Sequence, residues 1–228
     1  VEIMKVQFNK IFGENIYMSK LDDFEKINNK LIPIIEKDIT PTNSQFARTT
    51  DVKPKDLQEI NDNLHLNKKF KALYDQIKLH ILEYLNIQKY NLKVFDTYIL
   101  KSWATLSIKE QYIHNHKHMA SHISFVYYPR AENQGNLKFV SNLGYNNHMY
   151  IPSREEYFTE FNETNYSTMT VPAQTGCIVI FPSSMFHETE INQTQIPRIS
   201  ISGDVLITMK PGIKSEHCFP SPNTWLKI

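Results

Sequence analysis

Residues 198–204 read Arg-Ile-Ser-Ile-Ser-Gly-Asp, and their strict alternation sets how the rest of the chain is read. Successive side chains of an extended strand point to opposite faces. Arg198, Ser200, Ser202 and Asp204 therefore fall on one side, and Ile199 and Ile201 on the other. With the isoleucines in a core, the polar row faces either solvent or a wet pocket. An arginine followed two positions later by a serine on a pocket wall suits a carboxylate, because the guanidinium offers a planar donor fork and the hydroxyl adds a donor. A solvated strand face with Arg198 in a surface ion pair is the plainer alternative.

Strand-like runs continue outward from this segment. Lys93–Ser107, Gln111–His118, Ile123–Tyr128, Asn136–Val140, Ser167–Pro172, Cys177–Phe181 and Arg198–Met209 are separated by Asn, Gly, Pro and Ser, the pattern of a sandwich or jelly roll. Ahead of Leu92 the period is helical. Leu21, Phe24, Ile27, Leu31, Ile34 and Ile35 recur at three- and four-residue spacing over Ser19–Asp38, with Ser19 placed as N-cap. A second helix is expected from about Lys55, after Pro54, and a third over Asn67–Leu85 with Phe70, Leu73, Ile77, Ile81 and Leu85 on its apolar face. Ile3–Phe8 alternates as a short strand. The expected fold is mainly β with N-terminal helices (α+β), a jelly roll with the helices packed on one sheet. It forms one domain over 1–228, with helical support over about 1–91 and the jelly-roll core over about 92–210.

Composition narrows the class of partner. Lys plus Arg (25) and Asp plus Glu (24) leave a formal charge of +1, so no broad field favours nucleic acid or an anionic membrane. Cys177 and Cys218 are far apart and lack metal-ligand spacing, which suits a reducing compartment. Val1–Leu21 is neither a secretory nor a transit segment, and no apolar run is long enough to span a bilayer. The expectation is a soluble cytoplasmic protein. Asn142–Asn165, polar and aromatic with little periodicity, reads as a long loop or lid. Its Tyr145, His148, Met149, Tyr150, Tyr157 and Phe158 are candidate substrate contacts.

Four histidines fall at 114, 116, 118 and 122. On a strand, residues two apart project from one face about 7 Å from each other, so any adjacent pair among His114, His116 and His118 could converge on a metal ion. A polar strand end that happens to be rich in histidine is an equally open reading of the motif alone. Downstream, the buried-strand pattern of Gly176–Phe181 runs into Pro182-Ser183-Ser184 and presents His187, the third ligand that a facial metal site would need.

In this order, Trp103, His116-Lys117-His118 followed by Ser124-Phe125-Val126-Tyr127-Tyr128, Gly135-Asn136-Leu137-Lys138-Phe139, Gly176 through Phe181-Pro182-Ser183 to His187, and Arg198-Ile199-Ser200-Ile201-Ser202 resemble the 2-oxoglutarate/Fe(II)-dependent oxygenase family found in bacteria and marine phages, which is prolyl hydroxylase-like. The resemblance implies a double-stranded β-helix and a dioxygenase that uses Fe(II), 2-oxoglutarate as cosubstrate and dioxygen to hydroxylate a substrate, with a protein or peptide side chain favoured. For a phage-encoded chain the compartment is the host cytoplasm. The resemblance further implies that His116, His118 and His187 surround the iron. Arg198 and Ser200 would bind the far carboxylate of 2-oxoglutarate, with Tyr128 and, on the same strand face, Ser124 assisting. Sliding the alignment by two residues would select His114 and His116 instead.

The chain departs from the family pattern twice. His118 stands where Asp or Glu is commonest, which leaves a bound iron more positively charged. Phe125 replaces the glycine that usually follows Ser124, which narrows the expected pocket. Two other functions compete: a cupin-type iron dioxygenase that uses three histidines without 2-oxoglutarate, and a jelly-roll binding module without catalysis. The first leaves the Arg198/Ser200 pair without an acid to bind.

Overall fold

The computed structural model describes residues 14–39, 47–49, 63–141, 155–161, 165 and 167–228. The expected strand at Ile3–Phe8, the helix from Lys55 and most of the Asn142–Asn165 segment, including Tyr145, His148, Met149 and Tyr150, lie outside the described residues.

Among the described residues, nine strands form two antiparallel sheets. They are β1 (Tyr17–Lys20), β2 (Arg48–Thr49), β3 (Phe95–Ser107), β4 (Ile123–Arg130), β5 (Leu137–Val140), β6 (Thr168–Val171), β7 (Cys177–Pro182), β8 (Phe186–Thr189) and β9 (Arg198–Met209). Six of them make one sheet in the order β1-β7-β4-β9-β3-β2, and three make a smaller sheet in the order β6-β5-β8. Helices α1 (Phe24–Asp38) and α2 (Lys71–Ile87) precede most of the strands. The chain is thus sheet-rich with helices at its N-terminal side, as expected.

The large sheet is covered on both faces, which explains why β4 and β7 read as nearly continuous apolar runs. Phe125 and Tyr127 of β4, Ile178 and Ile180 of β7, and Ile199 and Ile201 of β9 join Leu31 and Ile35 of α1 and Leu73, Ile77 and Ile81 of α2 in one core. The alternate residues Val126, Tyr128, Val179 and Phe181 pack against Leu137, Phe139 and Val171 of the small sheet in a second core. The two cores are joined through β4. Tyr127 Oη donates to buried Asn28 Oδ1 on α1 at 2.6 Å, and Asn28 Nδ2 donates to the Pro129 carbonyl at 2.8 Å.

Two expectations are corrected. Ser19 is not a helix cap: it lies in β1, paired with Ile178 on the edge of β7. Helix α1 begins five residues later, after Asp23 in a left-handed conformation (φ 47°). The backbone bonds of that edge outcompete a single capping bond, and the apolar positions Ile27, Leu31 and Ile35 keep their helical spacing. Gln111–His118 is not a regular strand either. It runs beside β8 through scattered bonds, with His116 and His187 exchanging both backbone hydrogen bonds (2.9 and 2.8 Å), and it ends where Ala120 takes positive φ (61°). Phe125, expected to narrow the pocket, packs in the helix-side core. Although Phe125 still borders the cavity described below, its ring sits over Gly203, where a Cβ would lie 2.5 Å from Phe125 Cζ and 2.9 Å from the Lys101 carbonyl.

That contact makes the first prediction. Gly203→Ala is expected to destabilise the protein by about 1–3 kcal/mol through overpacking, measured by denaturant unfolding. Phe125→Leu in the same chain should return part of the loss, because the two residues share one space.

Candidate metal centre and cavity

A cavity of about 740 Å³ opens between β3, β4 and β9 and the 113–119 segment. Strand alternation lines it: Trp103 and Thr105 from β3, Val126 and Tyr128 from β4, and Arg198, Ser200 and Ser202 from β9 all face inward. The polar row of 198–202 thus borders a pocket and not an outer surface, while Ile199 and Ile201 are fully buried on the helix side. A second cavity of about 440 Å³, walled by Leu66, Lys68, Tyr74 and Tyr98 among others, holds no triad of metal-ligating groups among the described residues.

His116, His118 and His187 meet in the first cavity, with one potential ligand atom from each lying within 4.8 Å of the others. Their ring centroids are 4.3 Å (116–187), 5.1 Å (118–187) and 5.2 Å (116–118) apart. The paired backbones of residues 116 and 187 set the first distance, and the bond from His118 N to the Ser183 carbonyl (3.0 Å) draws the third ring in. His114 has its ring 6.0 Å from that of His116 and stays outside this group. So does His122, whose Nδ1 accepts from Ile207 N at 3.0 Å.

Hydrogen bonding fixes the tautomers. His116 Nδ1 lies 2.8 Å from the His114 carbonyl and His187 Nδ1 lies 2.9 Å from the Met185 carbonyl. A carbonyl only accepts, so both Nδ1 atoms carry the proton. His118 Nδ1 lies 2.5 Å from Asp204 Oδ1, an acceptor when ionised. In the neutral form of each ring the lone pair is then on Nε2. His116 Nε2 and His118 Nε2 stand 3.3 Å apart, close enough for one cation to be shared between them. Burial first, then the neighbouring histidines, holds His187 down at about 3, and burial likewise lowers His116. These are the neutral imidazoles that a divalent metal takes as ligands. The donor set therefore fits an iron ion.

Behind His118 is a carboxylate to which the sequence reading assigned no role. Asp204 is fully buried. Its Oδ1 also accepts from Ser124 Oγ at 2.8 Å, and Lys101 Nζ lies 3.2 Å from Oδ2 as an ion pair. Burial alone would raise this carboxyl, but His118, Ser124 and Lys101 together hold it below the usual carboxylate value. Ser124, expected to touch a cosubstrate, is corrected here. Its hydroxyl is fully buried and committed to Asp204 and to Ser183 Oγ (2.9 Å), and it is not among the cavity-lining residues.

Arg198 enters the cavity wall nearly fully buried. One Nη1 hydrogen bond goes to the Gly135 carbonyl, Nε has no partner, and among the described residues no carboxylate pairs with the guanidinium. Gly135, at φ 60°, is where the chain passes this close: a Cβ there would stand 2.9 Å from Arg198 Nη1. Tyr128 is buried beside it. Burial pushes its hydroxyl up to about 12, against the lowering effect of the Arg198 charge. A buried cation without a counter-ion is costly, so this pocket suits an anion able to reach Arg198, Ser200 and Tyr128, as a small dicarboxylate could.

Residues 101–204 match the family model described as "Putative 2OG-Fe(II) oxygenase". Among solved structures, the chain is similar to the non-heme α-ketoglutarate-dependent epimerase SnoN of nogalamycin biosynthesis, with 14% identity and a TM-score of 0.55 over 88% of this chain and 80% of that one. It is also similar to HygX of Streptomyces hygroscopicus, solved with nickel, 2-oxoglutarate and hygromycin B bound, with 11% identity and a TM-score of 0.54 over 84% and 82%. A prolyl-4-hydroxylase of Pseudomonas putida matches at 14% identity and TM-score 0.49 over 85% and 92%. At these identities the likeness to SnoN and HygX is one of fold. No curated protein sequence matches the chain.

Proposed function

We propose that the chain is a 2-oxoglutarate- and Fe(II)-dependent oxygenase, the family whose model its residues 101–204 match, in which His116, His118 and His187 hold the iron while Arg198, Ser200 and Tyr128 hold the far carboxylate of 2-oxoglutarate. The observation that carries this assignment is a buried guanidinium without a carboxylate partner among the described residues, in the same cavity as three converging imidazoles. Iron, 2-oxoglutarate and dioxygen together supply the oxidation, in which 2-oxoglutarate leaves as succinate and carbon dioxide and one oxygen atom enters a substrate C–H bond as hydroxyl.

The chain's own part is to bind, orient and keep dry. Arg198 neutralises the incoming carboxylate, and its planar fork with the Ser200 and Tyr128 hydroxyls sets the depth and tilt of the cosubstrate. Val126, Leu137 and Phe181 on the walls exclude water and so strengthen each of these interactions. We read the two sheets as a double-stranded β-helix within a single domain. A protein or peptide side chain is the preferred target. A three-histidine dioxygenase that does not use 2-oxoglutarate would have no occupant for Arg198.

Consumption of the cosubstrate in the absence of a target permits a test before the substrate is known. Protein loaded anaerobically with Fe(II) and then given 2-oxoglutarate and air is expected to release succinate, read by mass spectrometry. An iron-loaded protein that neither binds 2-oxoglutarate nor forms succinate would exclude this function. Lysate peptides and metabolites that gain the mass of one oxygen then identify the target.

A further inference from the structure

Three imidazoles bring no negative charge to a divalent cation, whereas the commoner pairing of two histidines and a carboxylate brings one. The carboxylate missing from the metal-facing set lies one bond network away. Asp204 is fully buried on β9 beyond the cavity wall, and its shortest contact is with His118 Nδ1 at 2.5 Å. A row of hydroxyls points toward it: Ser121 Oγ donates to Ser183 Oγ (2.9 Å), Ser183 and Ser124 share a 2.9 Å bond, and Ser124 donates to Asp204 Oδ1 (2.8 Å). If Ser183 donates to Ser124, every proton in the row runs toward Oδ1, which then receives bonds from both Ser124 and His118.

The backbone explains how Asp204 comes to stand there. Between β3 and β9 the pairing skips Leu100, so that Ile99 faces Val205 and Lys101 faces Asp204. Such a bulge re-aims side chains next to a site. Lys101, with its side chain about half exposed, meets only the far oxygen Oδ2 at 3.2 Å, while His118 has the shorter bond to Oδ1. An exposed lysine alone would be a weak reason to bury a carboxylate.

We propose that Asp204 is the positioning residue of the metal centre: it locks His118 as the Nδ1–H tautomer with Nε2 turned to the metal, and supplies through the ring the negative charge that the three-histidine set lacks. Carboxylates behind metal-bound histidines orient the ring and raise its basicity, and their loss costs about 10–100-fold in metal affinity. This inference rests on the reading of His118 as a ligand.

The test measures Mn(II) affinity of the metal-free protein by competition with a chelating dye, for wild type, Asp204→Asn, His118→Ala and His187→Ala. Asparagine keeps the shape and an acceptor oxygen but removes the charge. Asp204→Asn is expected to lose about 10–100-fold in Mn(II) affinity while binding 2-oxoglutarate with wild-type affinity once saturated with Mn(II), a split that general loosening of the fold would not give. Wild-type Mn(II) affinity in Asp204→Asn, with both histidine variants defective, overturns the role of Asp204 and leaves the three-histidine site standing. Wild-type affinity in His118→Ala overturns both. Should Asp204→Asn fail to fold, Ser124→Ala decides: a smaller loss in the same direction supports the inference, and unchanged affinity overturns it.

Discussion

Replacing His187 by leucine is expected to abolish metal binding and turnover together while leaving the metal-free protein folded. Residues that merely orient a metal ligand are worth about 10–100-fold in affinity, so loss of a ligand itself should exceed a hundredfold. The side chain is buried, bonded through Nδ1 to the Met185 carbonyl, and packed against the rings of His116, His118 and Phe181. Leucine gives up that one bond, a matter of about 1 kcal/mol, but it also removes a lone pair from a crowded group. Thermal unfolding reads the difference. A ligand at a hundred times its Kd adds about 2.7 kcal/mol, and for a chain of this size each kcal/mol moves Tm by about 2–4 °C. Mn(II) should therefore raise the wild-type Tm by about 5–10 °C and that of His187→Leu not at all. The same measurement on His114→Ala and His118→Ala separates the two alignments of the His-x-His motif. A retained shift in the first and a lost shift in the second is expected from the geometry, and the reverse would move the site to His114 and His116.

What could be read from the sequence was whatever depended on which face a residue occupies. The alternation of 198–204 worked because Ile199 and Ile201 go to the helix-side core, leaving Arg198, Ser200 and Ser202 on the cavity. The helical spacing of Leu73, Ile77, Ile81 and Leu85 placed α2 to within a few residues at each end. Depth was harder to read. Ser124 shares a strand face with Val126 and Tyr128, but it lies at the end of β4 nearest His118, so its hydroxyl is taken by Asp204 and Ser183. Asp204 was placed on the correct face, yet its meeting with His118 depends on a bulge at Leu100 and on the turn of the chain near Ala120. Neither leaves a periodic signal. The two histidines of the His-x-His motif do converge, though on a segment bridged at single points to β8, a strand of four residues too short to stand out.

Arg198→Met is the variant that most sharply tests the cosubstrate assignment, because its effects on stability and binding should have opposite signs. Methionine replaces a long buried side chain with an uncharged one. In the metal-free, cosubstrate-free protein the guanidinium has no carboxylate partner among the described residues and an unbonded Nε, so removing its charge relieves a desolvation cost and gives up the bond to the Gly135 carbonyl. Metal-free Arg198→Met should accordingly be at least as stable as wild type in denaturant unfolding. Binding should move the other way. Breaking a buried, hydrogen-bonded charge pair by removing one partner costs about 3–5 kcal/mol, which is at least about a hundredfold in affinity at 1.4 kcal/mol per decade. With Mn(II) bound in both proteins, 2-oxoglutarate affinity should fall by that factor and the Tm gain from 2-oxoglutarate should vanish, while Mn(II) affinity in its absence stays within a few fold of wild type. Arg198→Lys should recover only part of the loss, since a point charge cannot reproduce the planar fork. Equal losses for metal and cosubstrate would point to a collapsed cavity. Unchanged 2-oxoglutarate affinity would mean that this guanidinium, buried as it is, was built for something else.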